Sequence, residues 1–174
     1  MMTLAGGRAH VAQGEIRVET RSDVCLTTIL GSCVAACIFD PIARTGGMNH
    51  FILPGDTQHQ SGAAERYGVY LMEVLVNGLL EKGAERQRLL GKLFGGAKTT
   101  TGRGEIGAAN AAFAKRFLAM ENIPLVSVSL GGLRVRRVEF WPCSGRARQL
   151  YIDAPEPAPP PAPEPSALGQ VEFF

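Results

Sequence analysis

The chain has 174 residues, 45% of them hydrophobic, with 18 basic residues against 16 acidic ones and a formal net charge of +2. This length predicts one domain with enough apolar material for a core. The near-balanced charge excludes the basic stripe typical of nucleic-acid-binding proteins, so no nucleic-acid partner is predicted.

Residues 1–14 are predicted to be a flexible N-terminus, and residues 15–54 a block of β-strands. The segment EIRVET alternates in polarity, and the runs VCLTTIL and CVAACIF are apolar and β-branched. The run GMNHFILP ends at a proline. Asp40-Pro41 opens a turn, and the pair Gly46-Gly47 permits positive φ before the next strand.

Two helices are predicted farther along the chain. Residues 65–82 carry one apolar stripe at helical spacing: Tyr67, Tyr70, Leu71, Val74, Leu75 and Leu79. A short strand, LLGKLFGG, and a flexible polar loop, KTTTGRGE, precede a second helix over residues 106–120. Its buried side is predicted to hold Ile106, Phe113, Phe117 and Met120.

The last part of the folded region is predicted to be β. Strands over residues 124–130 and 133–141 are expected to form a hairpin at Gly131-Gly132, and a final strand covers 146–152. The element order predicts a single α+β or layered α/β domain over residues 15–152, with mixed β-sheets and two main helices.

Residues 153–174 are predicted to be a disordered tail, because seven of the twelve residues from 154 to 165 are proline. The tail ends in an apolar and acidic tip, LGQVEFF. Two interpretations stay open: an inert extension, or a short peptide that docks on a partner or back onto the domain. The two terminal phenylalanines favour docking on a partner.

No signal peptide or membrane-spanning helix is predicted. The first ten residues lack an apolar core, and the longest uncharged run, residues 24–39, has 16 residues against the ~20 needed to span a bilayer. We therefore expect a cytoplasmic protein without membrane insertion.

The four cysteines, Cys25, Cys33, Cys37 and Cys143, do not predict disulfides or a metal site. A cytosolic chain does not keep disulfides oxidised, and the C-x3-C pair has no second pair to complete a zinc site. Cys25, Cys37 and Cys143 are predicted to be core residues.

Cys33 follows Gly31-Ser32 in TTILGSC, at the junction of two apolar strands. A tight bend there tends to point backbone N–H groups at one spot, which suits an oxyanion. Cys33 could then attack a carbonyl, although a free thiol of pKa ~8.5 needs a base or a positive neighbour.

His50 is the candidate base, because it alone of three histidines lies in an apolar strand. His10 lies in the predicted flexible N-terminus, and His59 in a polar loop. A buried imidazole needs hydrogen-bonding partners. From the residues alone two interpretations stay open: a catalytic pair, or the commoner case of an unrelated core cysteine and histidine.

Four blocks of the sequence resemble the CheD family of chemoreceptor glutamine deamidases, in the same order. They are LGSCVAACIFDPIARTGGMNHFILP (residues 30–54), KLFGGA (92–97), IGAANAAFAKRFLAMENIPLVSVSLGG (106–132) and VEFWPCSG (138–145). The resemblance implies a thiol hydrolase that converts receptor glutamine side chains to glutamate and releases ammonia.

The resemblance also implies the site residues and partners. The family's cysteine, histidine and threonine fall at Cys33, His50 and Thr27, with Thr27 orienting the imidazole. Gly31, Ser32 and Asn49 are expected to position the substrate or its oxyanion. No metal or organic cofactor is implied. The implied partners are the cytoplasmic domains of chemoreceptors and, as in some members, a CheC-type phosphatase.

Two alternatives remain open. The same triad could catalyse another acyl transfer, such as peptide cleavage, receptor methylester hydrolysis or transglutamination, because all pass through an acyl-enzyme. The chain could also act mainly as an adaptor for a phosphatase partner.

Overall fold

A computed structural model of the chain describes residues 6–53, 61–99, 104–153 and 171–174. Its strands are β1 (Arg8–His10), β2 (Ile16–Glu19), β3 (Cys25–Leu30), β4 (Val34–Asp40), β5 (Thr45–Asn49), β6 (Leu90–Gly95), β7 (Leu125–Leu130), β8 (Val135–Trp141), β9 (Arg146–Ile152) and β10 (Val171–Phe173). The helices are α1 (Ser61–Glu81) and α2 (Gly104–Met120), with a 3-10 turn at Arg86–Arg88. His59 and residues 100–103 of the KTTTGRGE loop lie outside the described residues.

The strands form two five-stranded sheets. The first sheet has the order β1-β3-β8-β9-β10, and the second sheet the order β2-β5-β4-β6-β7. Each contains one parallel pair, β1 with β3 and β6 with β7, among antiparallel neighbours. Two mixed sheets and two helices in one α+β domain confirm the predicted fold class.

Strand β4 explains how the layers are held together. All seven of its residues are buried, because the strand is covered on both faces. Val34, Ala36 and Ile38 join a core shared with α1 and α2. The residues between them point the other way, into a second core formed with the first sheet. The second sheet is therefore the middle layer, between the helices and the first sheet.

The two helices bury faces that differ in part from the predicted ones. In α1, Leu71, Leu75 and Leu79 are buried as predicted, together with Met72 and Val76. The prediction was wrong for three members of the stripe, which are exposed: Tyr67, Tyr70 and Val74. In α2, Phe113 and Phe117 are buried as predicted, whereas Met120 is 80% exposed.

Glycines account for the rotation of the α1 face. The position of a Cβ on Gly68 would lie 2.7 Å from atoms of Leu53 and Phe113, and one on Gly78 would lie 3.0 Å from Val18. The neighbouring layers therefore approach α1 closest along its glycines. Apolarity alone cannot identify this line of closest approach, because a glycine adds nothing to a hydrophobic stripe.

The hairpin predicted at Gly131-Gly132 is wrong. Strand β7 pairs with β6 in the second sheet, whereas β8 pairs with β3 and β9 in the first. Both glycines have positive φ, 84° and 74°, so the turn chemistry was identified correctly. The turn carries the chain from one layer to the other instead of reversing it within a sheet.

Both ends of the described chain are more ordered than predicted. Residues 8–10, expected to be flexible, form β1 and pair in parallel with β3. The C-terminal tip forms β10 against β9, and the Phe174 ring meets that of Phe94 at 5.8 Å between centroids. The tip therefore docks back onto the domain, the alternative that the sequence disfavoured; residues 154–170 lie outside the described residues.

None of the described helices is long and apolar enough to cross a membrane.

Candidate active site

Cys33 and His50 lie on the same face of the second sheet. Val34 and Phe51 form an antiparallel bridge, with N–O distances of 3.0 and 2.9 Å, that continues the β4–β5 register. In this register Cys33 and His50 are diagonal cross-strand neighbours, a relation in which residues are about 7–8 Å apart. The two predicted residues are thus brought to one place.

Their shared face points toward the first sheet. Cys33 is half-buried and packs against the core between the two sheets. His50 is 7% exposed, and its ring meets Thr28 of β3, a strand of the first sheet. The site therefore lies where the two sheets meet, at the ends of β4 and β5.

The Thr28 hydroxyl and a backbone carbonyl orient the His50 ring. Thr28 Oγ1 lies 2.6 Å from the carbonyl oxygen of Val11 and 2.8 Å from His50 Nδ1, which is itself 3.3 Å from the same carbonyl. The threonine has one hydroxyl proton, which it donates to Val11, so it accepts from Nδ1. Nδ1 therefore carries the proton, and Nε2 is left as the basic nitrogen.

The hydroxyl that contacts the His50 ring belongs to Thr28. The sequence had predicted that Thr27 would orient the ring. Side chains alternate between the two faces of β3. Thr28 lies on the same face as Leu26 and Leu30, which are in the core between the sheets. Thr27 therefore points to the outer face, and its carbonyl accepts from Val11 N at 2.9 Å. The predicted role of Thr27 does not match this geometry.

Backbone hydrogen bonds hold the bend before Cys33. Gly96 N donates to the Cys33 carbonyl at 2.8 Å, and Ala97 N donates to the Gly31 carbonyl at 2.9 Å. The Ser32 carbonyl accepts a hydrogen bond from the Asn110 side chain at 2.9 Å, which restrains the Ser32 backbone. Several contacts thus fix the backbone of Gly31 and Ser32 next to Cys33.

Burial disfavours the charged form of both Cys33 and His50. It raises the pKa of the Cys33 thiol, although the backbone N–H of Cys33 works the other way. Burial also lowers the pKa of His50. The hydrogen bond to the Val11 carbonyl raises this pKa, and repulsion from His10 lowers it further. Both shifts favour a neutral thiol and a neutral imidazole over an ion pair.

A family model described as CheD chemotactic sensory transduction matches residues 52–149, more than half of the chain. The chain belongs to the CheD family. This confirms the resemblance carried by the four sequence blocks. The matched segment begins two residues after His50, so it includes neither Cys33 nor His50.

Several relatives cover nearly the whole chain. A protein of Agrobacterium fabrum is 55% identical, and the alignment covers 90% of this chain and 86% of that protein. A protein of Caulobacter vibrioides is 53% identical, and the alignment covers 96% of this chain and 93% of that protein. A third protein, from Rhizobium meliloti, is 56% identical, and the alignment covers 87% of this chain and 84% of that protein. Each carries the name "Probable chemoreceptor glutamine deamidase CheD".

Among solved structures, a Neisseria meningitidis protein of the DUF152 family aligns with a TM-score of 0.46 at 10% identity. The alignment covers 72% of this chain and 62% of that one. This likeness is too weak to establish a shared fold.

Asn49 of this CheD-family chain, which the sequence predicted to position the substrate, lies on the face of β5 away from Cys33. The residue is fully buried. Its Oδ1 accepts from Ala36 N at 2.9 Å, and its Nδ2 contacts the Met72 sulfur at 3.1 Å. These contacts place Asn49 on the helix-facing side of β5, opposite His50, because neighbouring strand residues point to opposite faces.

Asn110 on α2 is a site residue that the sequence analysis missed. It is fully buried, and it joins the two catalytic segments: its Nδ2 donates to the Ser32 carbonyl, and its Oδ1 accepts from Leu53 N, both at 2.9 Å. A signal was available, because Asn110 stands at helical spacing from Phe113 and Phe117. A polar residue on the buried side of a helix needs specific partners.

Within the described part of the chain, no group of three or more His, Cys, Asp or Glu side chains is arranged to hold a metal ion.

Proposed function

We propose that this chain hydrolyses the side-chain amides of specific glutamines on the cytoplasmic domains of chemoreceptors, through a thiol mechanism at Cys33. One observation carries the proposal: His50, with Nδ1 engaged by Thr28, shares a face with Cys33. This pair lies in a chain 53–57% identical to relatives named as chemoreceptor glutamine deamidases.

The chemistry follows from the protonation states of the pair. His50 Nε2 takes the thiol proton as Cys33 Sγ attacks the glutamine Cδ, and a tetrahedral oxyanion forms. The same proton then passes to the leaving nitrogen, ammonia departs, and a thioester remains. His50 next activates a water that cleaves the thioester, which gives glutamate and free thiol.

The bend at Gly31-Ser32 supports the oxyanion in this mechanism. Backbone N–H groups at Ser32 and Cys33 are the candidate donors, since the chain turns sharply there and its carbonyls are engaged elsewhere. A preformed backbone donor needs no reorganisation as charge develops on the oxygen.

Each turnover would replace a neutral carboxamide on the receptor by a carboxylate. A change in receptor surface charge is a direct way to shift signalling and adaptation, because an added carboxylate repels neighbouring negative charges. A cytoplasmic location and a CheC-type phosphatase partner belong to this proposal as well.

Mass spectrometry of a receptor cytoplasmic fragment incubated with the protein tests the proposal. Ammonia release and a gain of about 1 Da at discrete glutamines are expected, with both lost in Cys33→Ala. Methanol release from a methylated fragment would instead indicate an esterase, and chain cleavage a protease. If the protein bound the receptor fragment but formed no product, it would act as an adaptor and not as an enzyme.

A further inference from the structure

A glutamine of the chain itself lies against the nucleophile. The Gln13 side-chain oxygen Oε1 is 3.6 Å from the Cys33 sulfur. Gln13 is exposed, so its carboxamide can rotate without displacing core residues. The functional group that this family is named for modifying is thus present beside the thiol before any receptor binds.

The turn that carries Gln13 is fixed to the catalytic histidine. Glu15 N donates to the Ala12 carbonyl at 2.9 Å, and Gly14 between them has a φ of 84°, as the third residue of a type II turn requires. Gly14 N donates to the His50 carbonyl at 2.7 Å, and His50 N to that of Glu15 at 3.2 Å. The backbone of Gln13 therefore cannot move away from the site while His50 stays in place.

We infer that Gln13 is an intramolecular substrate of Cys33 and is converted to glutamate in the active protein. The inference rests on the proposed amidohydrolase activity. A group held beside a nucleophile reacts with an effective concentration of up to ~10⁵–10⁸ M when well oriented. A thiol competent toward glutamines of another protein would therefore meet this one far more often.

The reaction balances with water as its only co-reactant. Cys33 Sγ forms a bond to Cδ of Gln13, the bond from Cδ to Nε2 breaks, and the thiol proton leaves with the nitrogen as ammonia. Water then adds to the internal thioester, its oxygen remains on Cδ, and its proton restores the thiol. No oxidation or reduction occurs.

The product would alter the site. A carboxylate at position 13 beside Cys33 disfavours the thiolate, because like charges repel. The self-modified protein would therefore attack receptor glutamines more slowly at neutral pH than a protein that keeps a neutral residue there. Self-deamidation at Gln13 would act as a single-use restraint on the enzyme.

Peptide mapping of the purified full chain tests the inference. Trypsin releases residues 9–17, in which Gln13 is the one glutamine. We expect this peptide about 1 Da heavier than encoded in the wild type, and unchanged in both Cys33→Ala and His50→Ala. Exposed Gln87, in the 3-10 turn at the far end of β6 from Cys33, is the internal control and should stay unmodified.

The same preparations are assayed on a receptor fragment, which separates two kinds of failure. Wild type that deamidates the fragment but keeps Gln13 intact would overturn the inference and leave the proposed function standing. Equal conversion of Gln13 in wild type and Cys33→Ala would mean spontaneous hydrolysis and also overturn it. No reaction at either place would overturn the proposed function itself.

A variant pair tests the consequence. The Gln13→Glu variant should deamidate the receptor fragment at the same rate as wild-type protein in which Gln13 is already deamidated. The Gln13→Ala variant should be several-fold faster at pH 7. A Gln13→Ala protein no faster than Gln13→Glu would contradict the restraint.

Discussion

The orientation of the His50 ring depends on one hydroxyl group. The Thr28 hydroxyl donates a hydrogen bond to the Val11 carbonyl and accepts one from Nδ1, which leaves Nε2 as the nitrogen with a free lone pair. Thr27 and Thr28 are adjacent and chemically identical, and strand alternation alone distinguishes them. The sequence could indicate a threonine at this point, but not which one, because that depends on the face of β3 that meets the second sheet.

The threonine assignment predicts an asymmetry. Thr28→Ala should lower kcat by about 10- to 100-fold, the loss expected from one buried hydrogen bond of about 1–3 kcal/mol. Thr28→Ser keeps the hydroxyl and should recover most of the rate, and Thr27→Ala should change it little. Steady-state ammonia release measures all three. A Thr27→Ala protein slower than Thr28→Ala would return the role to Thr27.

The neutral resting pair predicts the pH dependence. The proposed base His50 must be unprotonated, and burial lowers its pKa from the ordinary imidazole value, so activity should persist into acidic pH and fall only as the pH drops through the lowered pKa. Burial raises the pKa of the Cys33 thiol above 9.0, so its alkylation by iodoacetamide should accelerate only at alkaline pH. The kcat/KM profile and the alkylation rate measure these limits.

A thiolate–imidazolium pair would give the reverse pattern. Alkylation of Cys33 would then already be fast near pH 6, and it would slow in His50→Ala. Cys37 is an internal reference, because complete burial raises its thiol pKa far above the ordinary value and should keep it unlabelled in the folded protein.

At the scale of elements, Cys33 and His50 share one face of the second sheet because backbone and side-chain hydrogen bonds join the segments that carry them. Residues 31–33 lead into the second sheet and residues 51–53 leave it at the same end, and the Asn110 side chain spans the two segments. Helix α2 thereby contributes to the site without supplying a reacting group. The resemblance located the block around Asn110, but its role depends on a contact 78 residues away in sequence.

Asn110→Ala should impair both stability and turnover. It leaves the partly buried Ser32 carbonyl and Leu53 N–H without their partner, which costs up to about 1–3 kcal/mol for each group, and it frees the bend before Cys33. Asn110→Asp can still accept from Leu53 but repels the Ser32 carbonyl. Urea unfolding and kcat are the measurements. Asn77→Ala on the exposed side of α1 is the control and should match wild type.

In this chain the positions of most strands and both helices could be predicted from periodicity, but not which sheet each strand joins. Residues 124–130 and 133–141 were identified as strands, yet the glycine pair between them leads from one layer to the other. Such a pair satisfies a hairpin and a layer crossing equally well, because both need only positive φ. The pairing of β6 with β7 is decided by packing across the whole sheet.

At the scale of the whole molecule, β1 and β10 flank the first sheet and were both predicted to be flexible. Each is three residues long, too short for periodicity to detect, and each is stabilised by the strand already beside it. β1 leads directly into Val11 and the Gln13 turn, so the N-terminal edge of this sheet also builds the active site. The opposite edge is covered by the C-terminus.

The C-terminal strand predicts a measurable contribution to stability. The Phe174 ring stacks edge-on against buried Phe94 at 5.8 Å, and Phe174 N donates to the Ala147 carbonyl at 3.2 Å. An aromatic pair contributes about 0.5–1.5 kcal/mol beyond area burial, and β10 also pairs with the edge of β9. Deleting residues 171–174 should therefore lower the free energy of unfolding by about 1–3 kcal/mol.

The midpoint of urea unfolding measures this loss, and Phe174→Ala should account for a large part of it. Phe174→Leu keeps an apolar side chain without the edge-on ring contact, so it should fall between wild type and Phe174→Ala. If the truncated protein unfolded at the same urea concentration as the full chain, the tip would not be held on the domain. The two terminal phenylalanines would then be available to a partner, as the sequence alone had suggested.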